Sequence, residues 1–390
     1  MRFLVLLFAL TDFVQDRPRT GAYRIDVKSG SYAVYVPSGY DHVREYPMLV
    51  WLHGSRNTGE GNRDSWITYL KNLRRQEEFI LVMPHMESLA SGKSGPGDLQ
   101  VAMESVEDAH QRFKISRNRV ILSSHSGGGP PSHQLLARQP NSFAMFAPWS
   151  NNHYGAPPVP KEFHDKPILL MWGARDHELI IAKDAFGTGG QGPGYHASLS
   201  SQPLKRYQRL VVPDHDHSLD RRIAATILAF YDQSLLDQSM STPLRATWDK
   251  IRAFAWADAR KEIERSKPDV KGLDELKARF EALQKALDAS IAGASDPGRK
   301  LLWLKLAAQA WRGSPGAKEL SDRAKEAEKG VNAGVIGKCA ELLINSSRAG
   351  RVQAEKDLRA LRGSDRALGP LIDECVNRLW LDAFGLAWVP

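Results

Sequence analysis

Cysteine is nearly absent: Cys339 and Cys375 are the only two in 390 residues, too few for a disulfide scaffold. Both stand near the C-terminus, where one disulfide in an exported chain and two thiols packed in helices are both open. No His or Cys pairs recur at zinc-ligand spacing, so no metal is expected. The apolar run at the start, "MRFLVLLFAL", is too short to cross a bilayer, which excludes a stable membrane span there. One Arg followed by a short apolar stretch has the form of a secretory signal, although no A-x-A site follows. Residues 1–19 are therefore read as a signal and N-terminal segment, and the protein as secreted or periplasmic. Charge of one sign is not concentrated either. The formal net charge is +8, but Lys and Arg interleave with Asp and Glu in "ARKEIERSKPD" and "DRAKEAEKG", the pattern of solvated helix faces. Nucleic acid is therefore not an expected partner. No fixed repeat period is present.

What is present is enough apolar residue, 42%, for more than one core in a chain of this length. From residue 20 to 236 short apolar runs alternate with amphipathic stretches. The strand candidates are "SYAVYVP", "PMLVWLHG", "FILVMP", "RVILSS", "SFAMFAP", "PILLMWG" and "RLVVP". Nearly continuous apolar runs suit strands buried on both faces of a parallel sheet. Between them, "DSWITYLKNLRRQ" and "DLQVAMESVEDAHQRF" carry apolar residues at helical spacing. The predicted fold class is α/β, a mostly parallel sheet with helices on both faces. Residues 237–247 read as a linker. From Trp248 to residue 390 strand signals vanish, and Leu273, Leu276, Phe280, Leu283 and Leu287 follow heptad-like spacing. That second region is predicted to be all-helical, broken at "SDPG", "RGSPG" and "LRGSD", with packing beside the rim of the first region or self-association as its simplest roles.

The stretch "RVILSSHSGGGPPSHQ" joins a strand to a helix through a Ser-His-Ser-Gly-Gly turn, a variant of G-x-S-x-G with Ser124 in place of the first glycine. A nucleophile elbow needs small residues two before and two after its serine, and Ser124 and Gly128 are small. The turn would lift the Ser126 hydroxyl above the sheet, with His125 beside it. Gly127 would open a helix whose free N–H groups favour negative charge. Pro130 and Pro131 suit a first helical turn, which has no internal bonds to donate.

A serine hydroxyl needs a base, and the base needs an orienting acid. On a sheet with such a turn they follow in the order serine, acid, histidine. "PILLMWG" runs into "ARDHEL", which offers Asp176, and "RLVVP" runs into "DHDHSLD", which offers His217. His215 competes with His217, and Asp184, Asp214 and Asp216 compete with Asp176. For the oxyanion, one donor is the Gly127 N–H. The second is assigned to Ser55 in "WLHGSRNTGEG", with Gly54 permitting the turn and His53 shaping it. Trp66 and Trp149, beside strand-to-helix loops, are candidates to line a substrate pocket.

These segments together, "YAVYVPSGYD", "YPMLVWLHGS", "ISRNRVILSSHSGGG", "MWGARDHEL" and "VPDHDHSL", resemble the α/β-hydrolase superfamily over residues 20–236. Within it they are similar to the esterase and polyhydroxybutyrate depolymerase-like group that includes feruloyl esterases. The resemblance implies a cofactor-free serine esterase, with nucleophile Ser126, acid Asp176, base His217 and an oxyanion loop at Gly54 and Ser55. Its partner would be an ester, small or polymeric. Ser124 departs from the family's glycine, the cysteines of exported members are missing from this region, and the helical region lies outside the match. Two other readings remain. One is a serine peptidase of the prolyl-oligopeptidase kind, for which Glu77-Glu78 would be an amine anchor; the other is an inactive binding or scaffold protein.

Overall fold

The structure is a computed structural model that describes residues 19–93, 95–151, 157–176, 191–345 and 350–380. The signal-like segment and Asp184 lie outside the described residues.

Strands β1 (Gly21–Val27) and β2 (Gly30–Val36) form an antiparallel hairpin. Next come β3 (Tyr46–Leu52), α1 (Gly59–Asn72), β4 (Ile80–Pro84), α2 (Glu87–Ala90) and α3 (Pro96–Arg112). They are followed by β5 (Ile115–His125), α4 (Gly129–Arg138), β6 (Met145–Trp149), β7 (Ile168–Gly173), α5 (Gln191–Ser200), β8 (Tyr207–Val212) and α6 (Arg221–Ser239). The described strands form one eight-stranded sheet in the order β1-β2-β4-β3-β5-β6-β7-β8. Strand β2 is antiparallel to β4, and every pairing from β4 to β8 is parallel. The seven apolar runs of the sequence all fall in strands. Strand β1 escaped that reading because it lies at the sheet edge, where alternate residues face water and "GAYRIDV" shows no apolar run.

Side chains alternate across the central strands, so each strand feeds two cores. Met48, Val50 and Leu52 of β3 face α3 and α4, while Leu49 and Trp51 face α1 and α6. Each fully buried Val, Leu or Met there stabilises the fold by about 1.5–3 kcal/mol relative to exposure.

The described residues then run through eight helices: α7 (Thr242–Arg252), α8 (Trp256–Arg265), α9 (Leu273–Gly293), α10 (Pro297–Ala310), α11 (Ala317–Ala327), α12 (Ala333–Asn345), α13 (Arg351–Ser364) and α14 (Gly369–Leu379). The stretch read as a linker, 237–247, is helical apart from Met240 and Ser241. Its proline sits in the first turn of α7, where it removes no internal bond, so it marks a helix start and not a loop. The five heptad-spaced residues of α9 are all buried. Cys339 on α12 and Cys375 on α14 are buried free thiols hydrogen-bonded to each other, not a disulfide. The apolar residues of these helices join the cluster on the α3 and α4 face of the sheet. No described helix is long and apolar enough to cross a membrane.

Candidate active site

The serine turn forms at the carboxyl end of β5, a central strand fixed between β3 and β6. Ser126 has φ +50°, a left-handed conformation that a non-glycine residue holds only when its surroundings impose it. The imposition comes from close packing. A Cβ on Gly128 would fall 2.4 Å from the Leu52 carbonyl oxygen and 2.7 Å from that of His53. Only glycine lets the start of the following helix press against the end of β3. Ser124 and Gly128 therefore satisfy the small-residue requirement, and the helix begins as a short 3-10 turn at Ser126–Gly128 before α4.

The loop after β3 closes over this turn. Gly54 approaches so tightly that a Cβ would stand 3.1 Å from Ser126 Cβ and 3.2 Å from His125 Nδ1. A Cβ on Gly127 would lie 2.5 Å from Ser55 Oγ and 3.3 Å from Ser55 N. The backbone amides of Ser55 and Gly127, the two expected oxyanion donors, are thus neighbours. His53 is buried; its Nδ1 donates to the Gly54 carbonyl at 2.9 Å and its Nε2 accepts the Met86 N–H at 3.1 Å. Burial holds its pKa below the ordinary value, so it is a neutral strut for the loop.

The candidate acid and base come from the ends of β7 and β8. Asp176, fully buried, follows β7, and His217 follows β8. His217 Nδ1 stands 2.9 Å from both carboxylate oxygens of Asp176. A carboxylate can only accept, so Nδ1 carries the proton and Nε2 is the basic nitrogen. The loop is tied to the serine turn through His125, whose Nε2 donates to the His217 carbonyl at 2.7 Å, with the two rings 4.8 Å apart. Burial, and then the nearby His217, push the His125 pKa down to about 4, so this second imidazole stays neutral beside the first.

The competitors face elsewhere. His215 lies against Trp149 and is engaged by Asp216 and Asp220. Asp214 pairs with Arg175, and Asp216 accepts from both the amide and the hydroxyl of Ser218.

Sequence reasoning missed Gly173, the last residue of β7. A Cβ there would stand 2.2 Å from the His215 carbonyl oxygen, so glycine is what lets the base loop cross β7 toward Asp176. Its place between a strand and the candidate acid was the available signal.

Two expectations are corrected. Trp66 does not line a pocket: it is fully buried on α1, edge-on to Trp51 and Tyr69 in the core under the sheet. Trp149 is also fully buried, and its indole N–H donates to the Ser218 carbonyl at 3.1 Å, so it braces the base loop. Both are on the inward face of their elements, where a large aromatic is held by packing. The Glu77-Glu78 pair is likewise occupied, Glu77 by Ser38 and Gly39 and Glu78 by Arg75. Among the described residues no group of three or more His, Cys, Asp or Glu is arranged to hold a metal ion.

A mostly parallel sheet of this strand order, with a strained serine turn after β5, an aspartate after β7 and a histidine after β8, decides the architecture. The fold is that of the α/β-hydrolases. Solved structures similar to it include a ferulic acid esterase from Anaeromyces mucronatus, at 16% identity and TM-score 0.38 over 53% of this chain and 87% of that one. An S-formylglutathione hydrolase from Staphylococcus aureus has 16% identity and TM-score 0.41 over 54% of this chain and 97% of its own. The feruloyl esterase module from Clostridium thermocellum has 13% identity and TM-score 0.40 over 55% and 87%. No protein-family model matches the chain, and no curated protein matches it. Likeness this distant adds nothing on activity, and the α/β-hydrolase assignment rests on the strand order and the turn.

Proposed function

We propose that this chain is a serine hydrolase that cleaves carboxylic esters through an acyl-enzyme on Ser126. The observation that carries the reading is the contact of His217 Nδ1 with both oxygens of buried Asp176, on a loop that His125 ties to the strained serine turn. That contact fixes the tautomer a general base requires.

In the proposed reaction His217 Nε2 takes the proton of Ser126 as its oxygen attacks the ester carbonyl. The tetrahedral oxyanion is met by the amides of Ser55 and Gly127, each contributing about 3 kcal/mol of transition-state stabilisation. His217 then returns the proton to the departing alcohol, and water repeats the cycle on the acyl-enzyme. Asp176 stabilises the imidazolium formed in between. The neutral state of His125 supports this cycle, because a second positive charge 4.8 Å from His217 would oppose its protonation.

The test is covalent labelling of the full chain with a fluorophosphonate, together with turnover of a panel of p-nitrophenyl esters and of aminoacyl and prolyl amides. Labelling of wild type but not of Ser126→Ala, with turnover of esters only, is expected. Turnover of prolyl amides would replace the esterase with a peptidase, and an inert folded protein would leave a binding role. Export is the companion proposal, resting on "MRFLVLLFAL" alone; N-terminal sequencing of protein recovered outside the cytoplasm tests it.

A further inference from the structure

Ser124 stands where the G-x-S-x-G turn has glycine, and a small residue tolerated there would leave its hydroxyl idle. Instead the hydroxyl is the centre of a buried chain of hydrogen bonds. Asn151 Nδ2 donates to Ser124 Oγ at 2.6 Å, Ser124 Oγ donates to Ser132 Oγ at 2.9 Å, and Ser132 Oγ donates to the Gly129 carbonyl at 2.7 Å. All three side chains are essentially inaccessible to solvent.

The proton inventory closes in one direction only. A carbonyl accepts, so Ser132 must spend its single proton on Gly129 and must accept from Ser124. Ser124 then has no proton left for Asn151, which fixes the Asn151 amide with its nitrogen toward Ser124.

This chain joins three pieces around the nucleophile: the second residue after β6, the end of β5 and the first turn of α4. A second link runs beside it, since the Ser126 N–H donates to the Ser150 carbonyl at 3.1 Å. Ser150 and Ser126 both have positive φ, +46° and +50°, and such conformations persist in non-glycine residues only where neighbours over-determine them. Adjacent residues Ser150 and Asn151 thus grip the turn by backbone and by side chain.

We infer that Ser124 is a positioning residue, held by Asn151 and Ser132, that fixes the height and direction of the Ser126 hydroxyl toward its base. The inference rests on the reading of Ser126 as nucleophile and gives the departure from glycine a mechanical role. A buried turn pinned on one side by a hydrogen-bonded hydroxyl has fewer ways to relax than one carrying glycine, and small displacements of a nucleophile are costly to rate.

The experiment measures p-nitrophenyl acetate kinetics and the rate of fluorophosphonate labelling for wild type, Ser124→Gly, Ser124→Ala, Asn151→Ala, Ser132→Ala and the Ser124→Ala/Asn151→Ala pair, with folding followed by circular dichroism. Each single change at Ser124 or Asn151 is expected to lower kcat and the labelling rate about tenfold with KM held within about twofold. The pair should lose little more than either single change, because both break the same chain. Ser132→Ala, at the far end, should show a smaller loss in the same parameter. Rates for Ser124→Gly equal to or above wild type would overturn the inference. So would multiplicative losses in the pair, a rise in KM with kcat unchanged, or failure of Ser124→Gly to fold, since each makes the hydroxyl tolerated or merely structural. If wild type itself reacts with neither probe, the hydrolase reading falls and this inference with it. Reactive wild type with indifferent variants removes the inference alone.

Discussion

His125 sits in the middle of the serine turn, and its ring does two things that its neighbours could not. It holds the His217 carbonyl at 2.7 Å, and it does so without charge, since burial and His217 keep its pKa at about 4 against an ordinary value of 6.5. The sign of the linked stability follows directly. Between pH 6.5 and 4 the unfolded chain binds a proton at this site that the folded chain refuses, so the contribution of neutral His125 is fully present above pH 6.5 and is lost as pH falls toward 4. The urea midpoint should therefore be lower at pH 5 than at pH 7. His125→Gln, which keeps a donor but does not titrate, should reduce that difference without removing it, since burial also holds the His196 pKa at about 4; an unchanged slope would dismiss the role. The pair His215 and His217 shows the limit of reading residues from sequence. They are two apart in one loop, equally placed by the order of the chain, and only the fold gives one of them Asp176 and the other Trp149 and Asp220. The same limit applies to Trp66 on α1 and Trp149 at the end of β6, whose rings pack inward.

Strand ends are where the chemistry collects, because in a parallel sheet all carboxyl ends share one edge. Ser55, Ser126, Asp176 and His217 follow β3, β5, β7 and β8, and this was legible in "HG", "SHSGG", "GARD" and "DHDH" following apolar runs. What was not legible is how closely those ends cross. Gly173 is the clearest case: its missing side chain is the space through which the His215 and Asp216 carbonyls pass. Gly173→Ala should push the base loop away from Asp176, with most activity lost and a stability cost of about 1–3 kcal/mol, the usual range for overpacking. Ester turnover and urea unfolding measured on one preparation check this; full turnover in the variant would show that the loop crosses elsewhere. The β1 strand and the α6 to α7 passage were illegible for opposite reasons. An edge strand mixes polar residues into its pattern, and a Ser-Thr-Pro break can begin a helix as readily as end one.

At the scale of the whole molecule the helical region closes an open edge of the sheet. Among the described strands β8 has a neighbour on one side only, and its outward backbone groups are met by α14: Asn377 accepts from the Val211 N–H at 2.8 Å and donates to the Val211 carbonyl at 2.9 Å. The Arg209 N–H reaches the Trp380 carbonyl at 3.2 Å, and its guanidinium reaches the Val376 carbonyl and Glu355. Burial alone would raise the Glu355 carboxyl, but Arg209, His196 and Arg359 outweigh it and hold it below the usual carboxylate range. Asn377→Ala strands a buried amide and carbonyl and should cost about 2–4 kcal/mol in urea unfolding. Deleting residues 248–390 should yield aggregated protein and not a smaller hydrolase, since it bares the β8 edge together with buried Arg209. Soluble, folded truncated protein with normal turnover would end that reading. The amino-acid order by itself determined the alternation of strands and helices, the glycines of the serine turn and the succession of candidate serine, acid and histidine, because these follow from local periodicity and local backbone freedom. The tertiary structure alone decided which histidine meets the acid, which tryptophans are core, what Ser124 holds and what the C-terminal helices cover, because each depends on contacts between residues far apart in the chain.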